Sequence, residues 1–425
     1  MIQILGLIFA SFVGLCILYF LFRKPEITFA LFLFSYIIEG GDIIPGPIDL
    51  TPIFLFISFA GFFLPAVMRK TIQYSSKSSD VWLLIFLFVL FGGSYFAPDL
   101  QSGIKKAILF AVAVVLPYMI VRFFFKTYKQ IKVFLFTILV LATGIAIILI
   151  FISFSPIYYG GRLQLFEANP IPTATLLAVG IIIAVIGLNS NLFSKTIQGK
   201  AIYIVIIPLC LYGMFLSGVR GPLISVIIGL AFYLLIMYIR QPRMWIRMAV
   251  IVILLLMTFN VWNPYITSKV PNIKIYSPQK IIKGASAQQR LEQYQATKRL
   301  FAQRPLLGGG TAGYSQRTEF GYPHNIFLEI VSDNGLIGLL VFLCFLISVL
   351  RYGVLYITKH FRRSHQSEKT IGLIILVVVV TLFIEKQISY SLTTHKDLFT
   401  FLALIVNLPS LSSNPNVKAS KNAIE

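Results

Sequence analysis

The feature that most constrains this chain is a succession of apolar stretches, each close to the ~20 residues a helix needs to cross a hydrocarbon core. They begin at Ile2, Ile48, Val81, Ile104, Val133, Thr173, Ala201, Pro222, Met248, Gly335 and Thr370, with two shorter ones near Ile27 and Leu398. A backbone in lipid must satisfy its own hydrogen bonds, and a helix does so within one segment. The expectation is therefore an all-α polytopic transmembrane helical bundle of about 12 or 13 spans. It forms a single integral membrane domain over residues 1–425, with a long external loop at 264–325. Of the 425 residues 57% are apolar and only 12% charged, against about 25% charged in soluble proteins. No stretch is left for a separate soluble domain.

The first apolar stretch reads as a retained span, since its cations, Arg23 and Lys24, follow it rather than precede it and no A-x-A site is present. Cys16, Cys210 and Cys344 lie in separate apolar stretches without C-x-x-C spacing, which suggests neither a disulfide framework nor a thiolate metal site. Orientation follows from Lys and Arg in short loops, which stay cytoplasmic. Arg23/Lys24, Arg69 to Lys77, Arg122 to Lys132, Lys195/Lys200, Arg240 to Arg247 and Arg351 to Lys369 fall in alternate connections. The connections between them face outward: those with Glu39, Asp42 and Asp99, "GGRLQLFEANP" at Gly160 to Pro170, "SGVRG" at Ser217 to Gly221, and the long loop.

That long loop breaks the charge pattern, because it carries nine Lys and Arg residues against Glu292 and Glu319. Loops of this length escape the orientation rule, and cations suit an anionic lipid surface. The alternative is an anion site for a substrate. Arg162 and Arg220, in two other outward loops, are each bracketed by glycine or serine, and small neighbours let a phosphate reach both the backbone and the guanidinium fork. Within the long loop, "SAQQRLEQYQATKRLFAQRPLLGGG" reads as an amphipathic helix. Ser286 and Gln289 suit a capping box, Ala287, Leu291, Tyr294 and Phe301 share a face, and Pro305 with Gly308 to Gly310 stops it. Arg290 falls in its first turn, as an anion ligand or as a solvated helix arginine.

After the loop, Pro323 sets an extended approach, and Ile326, Phe327, Ile330 and Val331 form a stripe suited to a short helix at the membrane surface. "DNG" at Asp333 to Gly335 turns the chain into the next span. His324 then stands at a helix N-terminus, where the dipole disfavours imidazolium and leaves a base near neutral pH. A structural cap is the plainer role for a lone histidine.

"SGVRG", then an R-L-x-x-Y helix ending in "RPLLGGG", then "PHNIFLEIVSDNGLIGLLVF" resembles, in order and spacing, the O-antigen ligase and O-antigen polymerase family of bacterial membrane glycosyltransferases. "GRLQLFEANP" is similar to that family's earlier R-x-x-G-x-x-x-N-P motif. The chain departs from the pattern at Val219, where serine is common, at Phe166, where glycine is usual, and at Ile171, where a second asparagine often follows Asn-Pro. The resemblance implies a GT-C-like bundle in the bacterial inner membrane, with its active site on the periplasmic face. The implied reaction moves a glycan from an undecaprenyl-diphosphate carrier to an acceptor hydroxyl on lipid A core or a growing polysaccharide chain. Arg220 and Arg290, with Arg162, would neutralise the diphosphate, and His324 would be the base, supported by Asn325 and Asn169. Direct attack inverts the anomeric centre.

No outward D-x-D pair and no histidine pair at ligand spacing is present, so neither metal nor cofactor is expected. The expected partners are the lipid-linked donor, a lipid or polysaccharide acceptor and membrane lipids, with no nucleic acid. Two other activities suit a chain of this kind. A lipid-linked glycan flippase or exporter would carry charge inside its spans to form a substrate path, whereas here the span interiors are almost free of it. A protein O-oligosaccharyltransferase often adds a soluble domain.

Overall fold

The computed structural model describes residues 14, 16–37, 49–70, 74–153, 163, 165, 169–190, 192, 196–240, 285–361, 364–389 and 391–412. In chain order the helices are α1 (Pro25–Phe34), α2 (Leu50–Met68), α3 (Ser78–Ser94), α4 (Leu100–Phe124), α5 (Tyr128–Ser153), α6 (Pro170–Leu188), α7 (Ile197–Ser217) and α8 (Arg220–Arg240). Then follow α9 (Ala285–Gln303), α10 (Gly313–Arg317), α11 (Ile326–Leu355), α12 (Gln366–Lys386) and α13 (Lys396–Ser412). Among the described residues eight helices are long and apolar enough to cross a membrane, and no strand occurs. The protein is an all-α, multi-pass helical bundle. Apart from the stretches at Ile2 and Met248, which fall largely or wholly outside the described residues, each apolar stretch of the sequence folds as a helix.

Helix starts follow local chemistry. Asp99 begins α4 by accepting from the amides of Gln101 and Ser102 at 3.2 and 3.0 Å, and Asn169 begins α6 by accepting from Ile171 at 3.1 Å. A side-chain oxygen here meets donors that the helix itself leaves unpaired. Helix α6, apolar all round, is buried along almost its whole length among α5, α7, α8 and α12.

Charge does enter the bundle near helix ends, and among the described residues it gathers in three ion-paired clusters. Lys106, in the second turn of α4, meets Glu329 and Asp333 of α11 at 2.5 and 2.7 Å. Lys386, the last residue of α12, meets Glu385 and Asp397 at 2.8 and 2.9 Å. At the far end of α4, Arg122 pairs with Asp80 at 2.8 Å and donates to Asn407. The middles of the helices remain apolar, and a buried charge needs such partners to be tolerated.

Two expectations about faces are corrected. Helix α9 begins at Ala285, so Ser286 lies inside it rather than at its cap. Leu291 and Tyr294 of the anticipated apolar stripe are 59% and 37% exposed, while Gln293, Ala296, Thr297 and Leu300 are buried, with Arg290 on the same side. The inward side is set by the partner it meets: Ala296 and Leu300 pack with Tyr314 of α10, whose hydroxyl donates to the Gln293 carbonyl at 3.2 Å. Likewise the first part of α11 packs into the bundle, with Ile326 and Ile330 fully buried, rather than lying on a surface.

Candidate functional site

The turn "SGVRG" is built by backbone handedness. Helix α7 stops at Gly218, whose φ of 65° is left-handed, and Ser217 folds its hydroxyl back onto the Met214 carbonyl at 2.6 Å. Arg220 is then the first residue of α8, where unpaired amides and the positive end of the dipole favour anions. The amide of Leu163 donates to Leu216 at 3.3 Å, so the chain next to Arg162 runs beside this turn. Arg162 itself lies outside the described residues. Asn169 caps α6 and has no described contact with the other candidates.

Helix α11 has two parts, because Gly335 (φ 61°, ψ −156°) interrupts it. The loop after α9 fills the break. The amides of Leu336 and Ile337, which start the second part, donate to the carbonyls of Pro305 and Leu306 at 2.9 and 3.2 Å, and Gly309 donates to Ser332 at 2.8 Å. "RPLLGGG" and "SDNG" are thus two halves of one backbone lock. Asp333 adds to it by accepting from the amides of Ala312 and Tyr314 at 3.0 and 2.9 Å.

At the start of α11, Asn325 is the cap, accepting from Phe327 and Leu328 at 3.0 Å each. His324, one residue earlier, takes a left-handed backbone with φ 55°. Histidine tolerates that region better than most residues, yet such strain persists only where the surroundings impose it. Its ring stands edge-on to Tyr322 at 4.5 Å. The Nδ1 atom is buried and has no hydrogen-bond partner among the described residues. Burial, and after it the Arg290 cation, hold the imidazole below its usual range. The ring therefore favours its neutral form at neutral pH.

What gathers these residues is the connection from α12 to α13, a segment with no sequence signature. Arg290 donates from Nη2 to the Ile388 carbonyl at 2.9 Å. Asn325 donates from Nδ2 to the Gln387 carbonyl at 3.3 Å. Gly221, next to Arg220, abuts the same place, since a methyl added there would lie 3.4 Å from Ser389 Oγ. Glu329 grips the segment further on, accepting from Ser391 Oγ at 2.7 Å and from the Leu392 amide at 2.8 Å. Arg290 therefore touches this stretch of backbone directly, and Arg220 and His324 each stand one residue from a position that does, although α8, α9 and the approach to α11 lie far apart in the sequence. Lys106 and the 387–392 segment are the participants that sequence reasoning did not single out. Among the described residues no group of three or more His, Cys, Asp or Glu has the arrangement of a metal site.

This arrangement brings the strained imidazole within reach of the Arg290 cation, with Gly221, the neighbour of Arg220, against the same segment. It suits an anionic leaving group and a hydroxyl nucleophile. Compared with known proteins, residues 204–343 match the family model described as O-antigen ligase. The matched segment includes Arg220, Arg290, His324, Asn325, Glu329 and Asp333, and stops before the 387–392 segment. No curated protein matches the chain.

Proposed function

We propose that this chain, a member of the O-antigen ligase family through its segment 204–343, moves a glycan from an undecaprenyl-diphosphate carrier to an acceptor hydroxyl. The supporting observation is the convergence of Arg290, of Gly221 beside Arg220, and of Asn325 beside His324 on Gln387–Ser389. In the proposed step His324 takes the acceptor's proton as the oxygen bonds to the anomeric carbon. The bond from that carbon to the diphosphate oxygen breaks, and its electron pair leaves with the diphosphate. Arg220 and Arg290, with Arg162, neutralise the charge that develops there. Attack opposite the leaving group inverts the anomeric centre, and with cations supplied by the protein no metal is needed. The acceptor is lipid A core or a growing polysaccharide chain. We further propose that the whole chain is one membrane domain, with the 264–325 loop and the site on the periplasmic side of the inner membrane.

The arginines test this reading. Arg290→Ala should lower transfer on the order of 10²-fold, as removal of a charge-stabilising donor does elsewhere. Arg290→Lys, which keeps the charge without the fork, should fall between it and wild type. Near-normal transfer by both Arg220→Ala and Arg290→Ala would remove the diphosphate assignment. The face is tested separately in a Cys16→Ser background, since Cys16 is the exposed native thiol. A cysteine at the exposed Gly321 should react with an impermeant maleimide in intact spheroplasts, and one at the exposed Lys129 only after lysis. The reverse pattern would invert the topology.

A further inference from the structure

Lys106 faces one carboxylate more than it can neutralise. Asp333 already balances it, and is held besides by the amides of Ala312 and Tyr314. Glu329, 1% exposed, is a second carboxyl group at the same ammonium group. Burying a surplus carboxylate is unfavourable unless hydrogen bonds compensate it. Here they come from the α12–α13 connection, through Ser391 Oγ and the Leu392 amide. Four residues before Glu329, and so on the same face of α11, Asn325 donates to the Gln387 carbonyl. The two side chains hold the segment at matching intervals, positions 325 and 329 on the helix against 387 and 391 on the connection. Between those points lies the Ile388 carbonyl that receives Arg290.

We infer that Glu329 is a positioning residue for the binding of the lipid diphosphate: by fixing 391–392 it sets the Ile388 carbonyl, and through it the plane of the Arg290 guanidinium. The inference rests on the donor reading above. Asp333, by contrast, secures the backbone lock.

The charge surplus makes the test clean. In Glu329→Gln, Lys106 keeps Asp333, and the amide oxygen, standing where Oε1 stood, can still accept from Lys106 and Ser391 Oγ while the Leu392 contact is lost, so the fold and part of the positioning should survive. Glu329→Ala removes both contacts. With purified full-length protein in detergent and undecaprenyl diphosphate as the probe, Glu329→Ala should bind about tenfold more weakly, the loss expected for a charge-assisted hydrogen bond. Its donor KM should rise to a similar extent, with kcat reduced less than about threefold. Glu329→Gln should stay within about threefold of wild type in both. Normal affinity per folded Glu329→Ala molecule would overturn the inference, and so would a Glu329→Gln variant as defective as the alanine. If Glu329→Ala does not fold, Ser391→Ala reads the same contact. Binding about threefold weaker supports the inference, and unchanged binding overturns it. Arg290→Ala, measured alongside, separates the two levels: unchanged binding there sinks the donor reading itself, whereas weakened binding with a normal Glu329→Ala sinks only this inference.

Discussion

His324→Ala should remove about two to four orders of magnitude of glycan transfer, the usual contribution of positioned proton transfer, while undecaprenyl diphosphate should still bind at the proposed arginines. His324→Gln should be nearly as inactive, because an amide can hydrogen-bond an acceptor hydroxyl but cannot take its proton. The measurement is transfer by purified protein in detergent, with product followed by gel shift and the carrier lipid's binding recorded in parallel. The same residue fixes the pH response. Burial and Arg290 push the imidazole below its usual range, so the neutral base is present at neutral pH and is lost as the pH falls. The acid limb of kcat/KM should thus lie below about 6.5, the unperturbed value. A limb above 7, or undiminished transfer by both variants, would reduce His324 to a strained residue before the α11 cap. Failure of the wild type to transfer to any acceptor, with movement of the lipid across vesicles, would instead favour a flippase.

The existence and approximate extent of the helices were legible because each apolar stretch matches the thickness of a bilayer, a local property. So were the end of α9 before Pro305 and the break at Asp333–Gly335, where Pro and Gly act within a residue or two. Three things were not. Which side of α9 faces inward depends on what surrounds it, and Leu291 turned outward although its stripe looked like a core face. Lys106 gave no sign of its partners, which lie 223 and 227 positions along the chain at Glu329 and Asp333. The 387–392 segment contributes mainly backbone carbonyls and an amide, and every residue type supplies those. Arg220, Arg290 and His324 stood out because arginine and histidine carry rare chemistry in an apolar chain. The scaffold that aligns them is made of common groups, so only three-dimensional proximity identifies it.

Gly335→Ala should yield no folded protein, an outcome as complete as the loss of the histidine but of different origin. With φ 61° and ψ −156°, Gly335 occupies a region open essentially to glycine alone. A methyl there would also overlap the Leu306 carbonyl and approach Gly308 N to 2.6 Å. Across the lock, a methyl at Gly308 (φ 66°) would lie 2.6 Å from the carbonyl of Asp333. Neither overlap can be relieved by turning a side chain, because both partners are backbone held by the Pro305–Leu336, Leu306–Ile337 and Gly309–Ser332 hydrogen bonds. Relief requires separating the loop from α11, which leaves buried amides unpaired and withdraws the Ala312 and Tyr314 donors from Asp333. Gly335→Ala and Gly308→Ala should therefore each lose the monodisperse peak in detergent size-exclusion. Gly321→Ala, with no atom within 4 Å of the added methyl, should elute and transfer as wild type. A monodisperse, active Gly335→Ala protein would mean that the loop and the helix break do not interlock.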